Sequence, residues 1–191
     1  DSYPSYLVDI LKSLAPKKCK GDPNIVILTP GHLNSAYYEH SFLADLMGVE
    51  LVQGSDLYVN NNITYMKTTE GPKKIDIIYR RIDDEYLDPL YYKNDSLLGV
   101  PGIINSYKTG YINICSAPGA GLADDKAVYT FMPDIIKFYL GEEPILKNIK
   151  TWRCYDVKEC KYVINNLEKL VVKEVHGSGG YGMLIGSKAS K

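Results

Sequence analysis

Asn24-Ile25-Val26-Ile27-Leu28-Thr29, bounded by Pro23 and Pro30 and followed by Gly31-His32-Leu33-Asn34-Ser35, is the stretch that decides the fold. Its unbroken apolar run is the pattern of a strand buried on both faces of a sheet, because a half-exposed strand would alternate. Ala36 to Gly48 then carries Tyr37, Tyr38, Phe42, Leu43, Leu46 and Met47 at helical intervals, with Ser35 expected to cap the start and Gly48 to end it. Val49-Glu50-Leu51-Val52 follows as a second strand. Strand, loop, helix, strand in that order is a parallel crossover of the doubly wound type. Ligands in such sheets sit beyond the carboxyl ends of the strands, so Thr29 to Ser35 becomes a candidate binding loop.

The same reading extends outward. Tyr6 to Leu14 has helical apolar spacing and stops before Pro16, and Lys17 to Pro23 is a polar linker. Leu57-Tyr58-Val59 and Ile63-Thr64-Tyr65-Met66 flank Asn60-Asn61-Asn62, a hairpin signal because Asn tolerates positive φ. Ile75 to Tyr79 is another buried strand, a short helix lies near Gly102 to Tyr107 behind Pro101, and Ile112 to Cys115 is a further strand. Asp124 or Asp125 caps a helix containing Lys126 to Thr130, a second piece runs from Asp134 to the Gly141 stop, and Tyr155 to Leu167 reads as a helix. Leu170-Val171-Val172 and Met183-Leu184-Ile185 close the chain as an antiparallel hairpin. The expected class is α/β with a three-layer parallel-sheet body.

Composition narrows the function classes. The chain has 191 residues, 45% of them hydrophobic and 24% charged, which is an ordinary globular balance. A formal net charge of −1 does not advertise nucleic acid or an anionic membrane as partner, and no apolar run approaches a membrane span. Without a charged leader the expectation is a cytoplasmic protein. Cys19, Cys115, Cys154 and Cys160 are scattered without a Cys-x-x-Cys pair, so reduced thiols are expected in place of a zinc site or disulfide framework.

Two places carry residue types suited to anions. Gly177-Ser178-Gly179-Gly180-Tyr181-Gly182 forms the tip of the closing hairpin, where missing Cβ atoms let backbone N–H groups turn toward a phosphate, and Lys173 adds a point charge. The spacing fits neither the Walker A nor the dinucleotide pattern, and a plain glycine-rich hairpin tip is the competing reading. Arg80 and Arg81 follow a buried strand, so one should face the ligand crevice and the other lie along or outside it. A guanidinium there grips carboxylate or phosphate bidentately; the alternative is a structural ion pair with Asp83, Asp84, Glu85 or Asp88. Those acids are also open to reading as Mg²⁺ ligands or as a solvated face. His32 in the candidate loop and His176 beside the glycines can hydrogen-bond an anion or stand in solvent.

Five ordered motifs then carry a resemblance: Thr29 to His40, Tyr79 to Pro89, Gly119 to Ala127, Tyr139 to Pro144 and Val172 to Gly182. Across nearly its whole length the chain resembles the circularly permuted ATP-grasp family of bacterial proteins, relatives of glutathionylspermidine synthetase and eukaryotic-type glutathione synthetase. The resemblance implies a substrate domain like that of glutathione synthetase, joined to the start of an ATP-grasp lid. It implies ATP and Mg²⁺ as cofactors of the full-length protein, and a carboxylate–amine ligase that joins a small-molecule or peptide carboxylate to an amine through an acyl phosphate. By the same resemblance Lys126 and Lys173 match the two ATP-binding lysines and Gly177 to Gly182 the lid loop. Arg81 matches a substrate-binding arginine, beside Arg80, and Asn34 and Ser35 fall near other substrate contacts. Gly177 stands where glutathione synthetases carry a metal-binding Glu, so no metal ligand is carried over to this chain.

The expected organisation is an N-terminal helix and linker over 1–22, an α/β substrate-binding domain with connecting helices over 23–146, and a partial lid over 147–191. The chain reads as a central fragment, inactive alone, of an ATP-dependent ligase. The alternative is a non-catalytic ATP-grasp-like binding or scaffold module, and a homo-oligomer is left open.

Overall fold

In a computed structural model, residues 2–177 and 179–189 are described. They fall into two compact units, 1–119 and 120–191. The first opens with helix α1, Tyr3–Ser13, whose Pro4 sits in the first turn where a missing N–H costs nothing. Strand β1, Ile25–Leu28, is buried at all four positions, as its unbroken apolar run requires. Helix α2, Tyr37–Met47, ends on Gly48 in the left-handed region at φ 65°. Its start departs from expectation: Ala36 holds the cap position with no side-chain cap, and Asn34 Oδ1, not Ser35, accepts the Ala36 N–H at 2.9 Å. An Asx turn therefore feeds the helix. Strand β2, Glu50–Val52, completes the crossover.

Strands β3, Leu57–Asn60, and β4, Ile63–Thr68, pair antiparallel through a two-residue turn. Asn61 and Asn62 take φ of 50° and 62°, the twisted turn that paired asparagines favour. Strand β5, Gly71–Lys74, extends this sheet, with Pro72 and two lysines suited to an edge. Strand β6, Ile77–Arg80, short helices α3, Asp84–Leu87, and α4, Ile103–Lys108, and strand β7, Asn113–Cys115, follow. The main sheet is wholly parallel in the order β2-β1-β6-β7, so the first unit is α/β with a parallel sheet.

Alternation along the strands divides the core between the two sheet faces. Ile25, Ile27 and Ile77 pack with Leu11, Leu43, Ala44 and Met47 from α1 and α2. Val26, Leu28, Ile78 and Ile114 pack with Leu57 and Met66 of the antiparallel sheet and with Leu87, Ile103 and Ile104. Each fully buried side chain of this size contributes about 1.5–3 kcal/mol. Asp88 is fully buried in the second cluster's neighbourhood, where its carboxylate accepts N–H groups of Leu90, Gly102 and Ile104 at 2.9, 3.1 and 3.0 Å. It thereby caps the start of α4 from a distance.

In the second unit, helix α5, Lys126–Tyr129, is capped by Asp125, whose Oδ1 accepts from Ala127 and Val128. Helix α6, Met132–Leu140, carries Pro133 in its first turn and ends on Gly141 at φ 68°. Helix α7, Val157–Asn165, is capped by Asp156. Strands β8, Val171–Val172, and β9, Leu184–Ile185, form the closing antiparallel pair. Among the described residues Val163 is the one buried apolar side chain of this unit. No helix among them is long and apolar enough to cross a membrane.

Candidate functional site

The parallel sheet has its switch point between β1 and β6. The chain leaves β1 toward β2 and β6 toward β7, so the loops at their carboxyl ends diverge and open a crevice. Leu28 pairs with Arg80 there, and Arg81 N–H donates to Leu28 O at 2.7 Å. The residue that follows β1, Thr29, is buried, and its hydroxyl lies 2.9 Å from Nδ1 of the buried His40 while accepting the Gly31 N–H at 3.2 Å. Burial, then the Arg81 charge, pushes the His40 pKa down from 6.5, with Glu39 partly opposing. A neutral ring satisfies this contact, with Nδ1 accepting from or donating to the Thr29 hydroxyl according to its tautomer.

The adjacent arginines have different work. Arg80, with 8% of its side chain exposed, donates to the carbonyls of Ser116, Ile82 and Ala117 at 2.6, 2.7 and 3.1 Å and lies 2.7 Å from Asp84 Oδ1. Asp84 Oδ2 also accepts the Gly119 N–H, so the pair ties the loop after β7 to the end of β6. Arg81 reaches the crevice, 2.5 Å from Glu39 Oε1 and 6.0 Å from the Tyr79 ring centre. Asn34, Ser35 and His32 are exposed on the candidate loop. The crevice thus gathers Thr29, Glu39, His40 and Arg81. Of these the sequence marks Arg81 by role and Thr29 as the start of the candidate loop. The missed signal was His40, a polar residue on the α2 face that carries Leu43, Ala44 and Met47.

The second unit gathers the lysine and glycine residues. Lys126 opens α5 directly after its Asp125 cap, and its Nζ donates to the carbonyl oxygens of Gly177 and, at 3.3 Å, of Val175. Lys173 follows β8. Lys126, Lys173, Glu174, Gly177, Gly180, Tyr181 and Met183 line one cleft of about 100 Å³. Gly179, Gly180 and Gly182 take φ of 59°, 82° and 63°, backbone that side-chain-bearing residues rarely adopt. Ser178 lies outside the described residues. His176 is largely exposed, with Nδ1 3.9 Å from Asp125 Oδ2. The four cysteines are free, and burial raises the thiol pKa of Cys115 and Cys154, the latter helped by Cys160. Protonated thiols are poor nucleophiles.

Two lysines, glycine backbone and a small cleft form an arrangement suited to the oxygens of a polyphosphate tail. Acidic groups suited to a metal are another matter: among the described residues no three His, Cys, Asp or Glu side chains cluster to hold an ion.

The class these features define is that of α/β proteins with a parallel sheet and a glycine-rich hairpin. A family model described as a circularly permuted ATP-grasp matches residues 1–191, and the chain belongs to that family. An uncharacterised protein of Synechocystis sp. is 50% identical over 190 residues, covering 100% of this chain and 39% of the relative. An uncharacterised protein of Mycobacterium tuberculosis strain H37Rv is 49% identical over 191 residues, covering 100% of this chain and 34% of its own length. A Frankia alni protein provisionally named glutamate–cysteine ligase 2-3 is 39% identical over 186 residues, 97% of this chain and 22% of that protein. The chain therefore spans 39% or less of the length of these relatives.

Proposed function

We propose that the protein is an ATP-dependent carboxylate–amine ligase acting through an acyl phosphate. The second unit grips the nucleotide's phosphates, and the strand-end crevice of the first takes the acid. The observation that carries this reading is the meeting of Lys126 and Lys173, distant in sequence, in one cleft walled by Gly177 and Gly180. Membership of the ATP-grasp family and the ligase name of the Frankia alni relative support it.

In this reading the lysines act as point charges on phosphate oxygens, and the N–H groups of Gly179, Gly180 and Gly182 complete the cradle. Ser178 and Tyr181 belong to the same lid loop. When bound, ATP supplies the phosphoryl group that activates the acid. Charge compensation and positioning are what the protein contributes to such a transfer. Arg81 holds the acid's carboxylate at the switch-point crevice, with Asn34 and Ser35 as exposed polar neighbours, while Arg80 shapes the crevice wall. The described residues offer no cluster that would hold Mg²⁺, so its ligands fall to other parts of a longer polypeptide. The residues over 23–119 serve the acid, and those over 120–191, with Lys126 and Lys173 among them, grip the phosphates and begin the lid. The 191-residue chain alone is then a binder of nucleotide and not a catalyst.

The test is phosphate release from ATP by a full-length relative across a panel of amino acids and small peptides, against variants matching Lys173→Ala and Arg81→Ala. Amine-dependent release lost in both variants supports the reading. Release unchanged by the lysine substitution removes Lys173 from the site.

A further inference from the structure

We propose that Glu174 is an internal competitor for the phosphate tail, seated at the glycine-walled end of the cleft and displaced when the ligand binds. The proposal rests on the nucleotide reading above. Glu174 directly follows Lys173 and lines the same cleft as both lysines. Its carboxyl arm lies against two glycines of the hairpin. A Cβ at Gly182 would stand 2.5 Å from Glu174 Oε1 and 2.6 Å from its Cγ, and a Cβ at Gly177 would stand 3.2 Å from Glu174 Cβ and 3.5 Å from Oε2. Those contacts are too close for a methyl group at Gly182, so the bare backbone there is what admits the carboxylate. Lys126 is itself engaged, by the carbonyl oxygens of Val175 and Gly177. One lysine and the space over the hairpin backbone are thus taken by oxygen atoms of the chain itself.

A phosphate oxygen and the Glu174 carboxylate cannot share this volume, and like charges about 4 Å apart oppose each other by at least about 1 kcal/mol in water, a factor of roughly five to ten in binding. Binding then requires Glu174 to swing out, which lowers affinity by the fraction of time the site is open. Removing its charge removes both costs.

The experiment is calorimetric titration of the 191-residue chain with sodium tripolyphosphate at fixed ionic strength. Wild type, Glu174→Gln, Glu174→Ala and Lys173→Ala are compared, with thermal melts to show that each variant folds. Both Glu174 variants are expected to bind about tenfold more tightly than wild type, and Lys173→Ala more weakly. Wild-type binding that is unchanged or weakened in Glu174→Gln overturns this proposal and leaves the nucleotide reading standing. Binding by neither wild type nor Glu174→Gln removes both.

Discussion

Replacing Arg80 and Arg81 one at a time by Ala separates an arginine that holds the fold from one that faces the crevice. Arg80 makes three hydrogen bonds to carbonyl oxygens at 2.6 to 3.1 Å and an ion pair with Asp84 at 2.7 Å, with 8% of its side chain exposed. Hydrogen bonds from a charged donor contribute about 1.5–3 kcal/mol each, and breaking a buried ion pair costs about 3–5 kcal/mol. Water reaches part of the vacated space and Asp84 is 28% exposed, so the sum is discounted to a loss of about 3–4 kcal/mol for Arg80→Ala. Arg81 pairs with Glu39, which is 61% exposed, and such a pair is worth about 0–1 kcal/mol. Urea unfolding followed by far-ultraviolet circular dichroism at pH 7 measures both, because the midpoint shift at constant slope gives the difference in stability. Trp152, the single tryptophan, lies in the second unit stacked on Tyr162 at 4.9 Å, so its fluorescence should follow a separate transition. Loss of less than about 1 kcal/mol in Arg80→Ala, or a larger loss in Arg81→Ala, would refute this division of labour.

His40 gives a pH-dependent prediction. Its folded pKa lies below 6.5, so as pH falls through 6.5 the unfolded ring takes a proton that the folded ring refuses. Stability should fall with pH from about 6.5 down to the folded value and then level off, and His40→Gln should flatten that part of the curve; an identical slope in the variant would remove His40 as its source. Asp88→Ala leaves the buried N–H groups of Gly102 and Ile104 without an acceptor, and the half-buried one of Leu90, and should cost about 2–6 kcal/mol in the same urea assay, with a loss under about 1 kcal/mol contradicting its capping role. Hydrogen exchange should be fast throughout α6 and α7, whose unit buries only Val163 among the described apolar residues, and slow in β1 and β6; equal protection would contradict this.

Where pattern and burial coincide, the fold was legible. The doubly buried runs at Ile25–Leu28 and Ile77–Ile78 announced the parallel sheet, and the asparagine triplet announced the hairpin. Strand β5 was not, because Gly71-Pro72-Lys73-Lys74 has neither apolar alternation nor strand propensity; pairing with β4 makes it a strand. The helix starts one residue later than the capping residue types suggest, because Asn34 accepts the Ala36 N–H in an Asx turn and leaves Ala36, not Ser35, at the cap position. At the site, alternation sends Arg80 and Arg81 to opposite sides but does not say which side is open. That is decided by the pairing of Leu28 with Arg80 and by the distant carbonyls of Ser116 and Ala117. Glu39 and Glu174 were silent in the sequence, since an exposed glutamate on a helix and one beside a lysine are ordinary until their neighbours in space are known.

The most direct test of the account is calorimetric titration of the 191-residue chain with ATP, alongside Lys126→Ala and Lys173→Ala. The wild type is expected to bind, and each lysine variant to bind at least about tenfold more weakly, since each removes one of two charges from a partly enclosed cleft. ATP binding that neither substitution alters would place the nucleotide elsewhere, and no binding by the wild type would contradict the phosphate role of the glycine hairpin altogether.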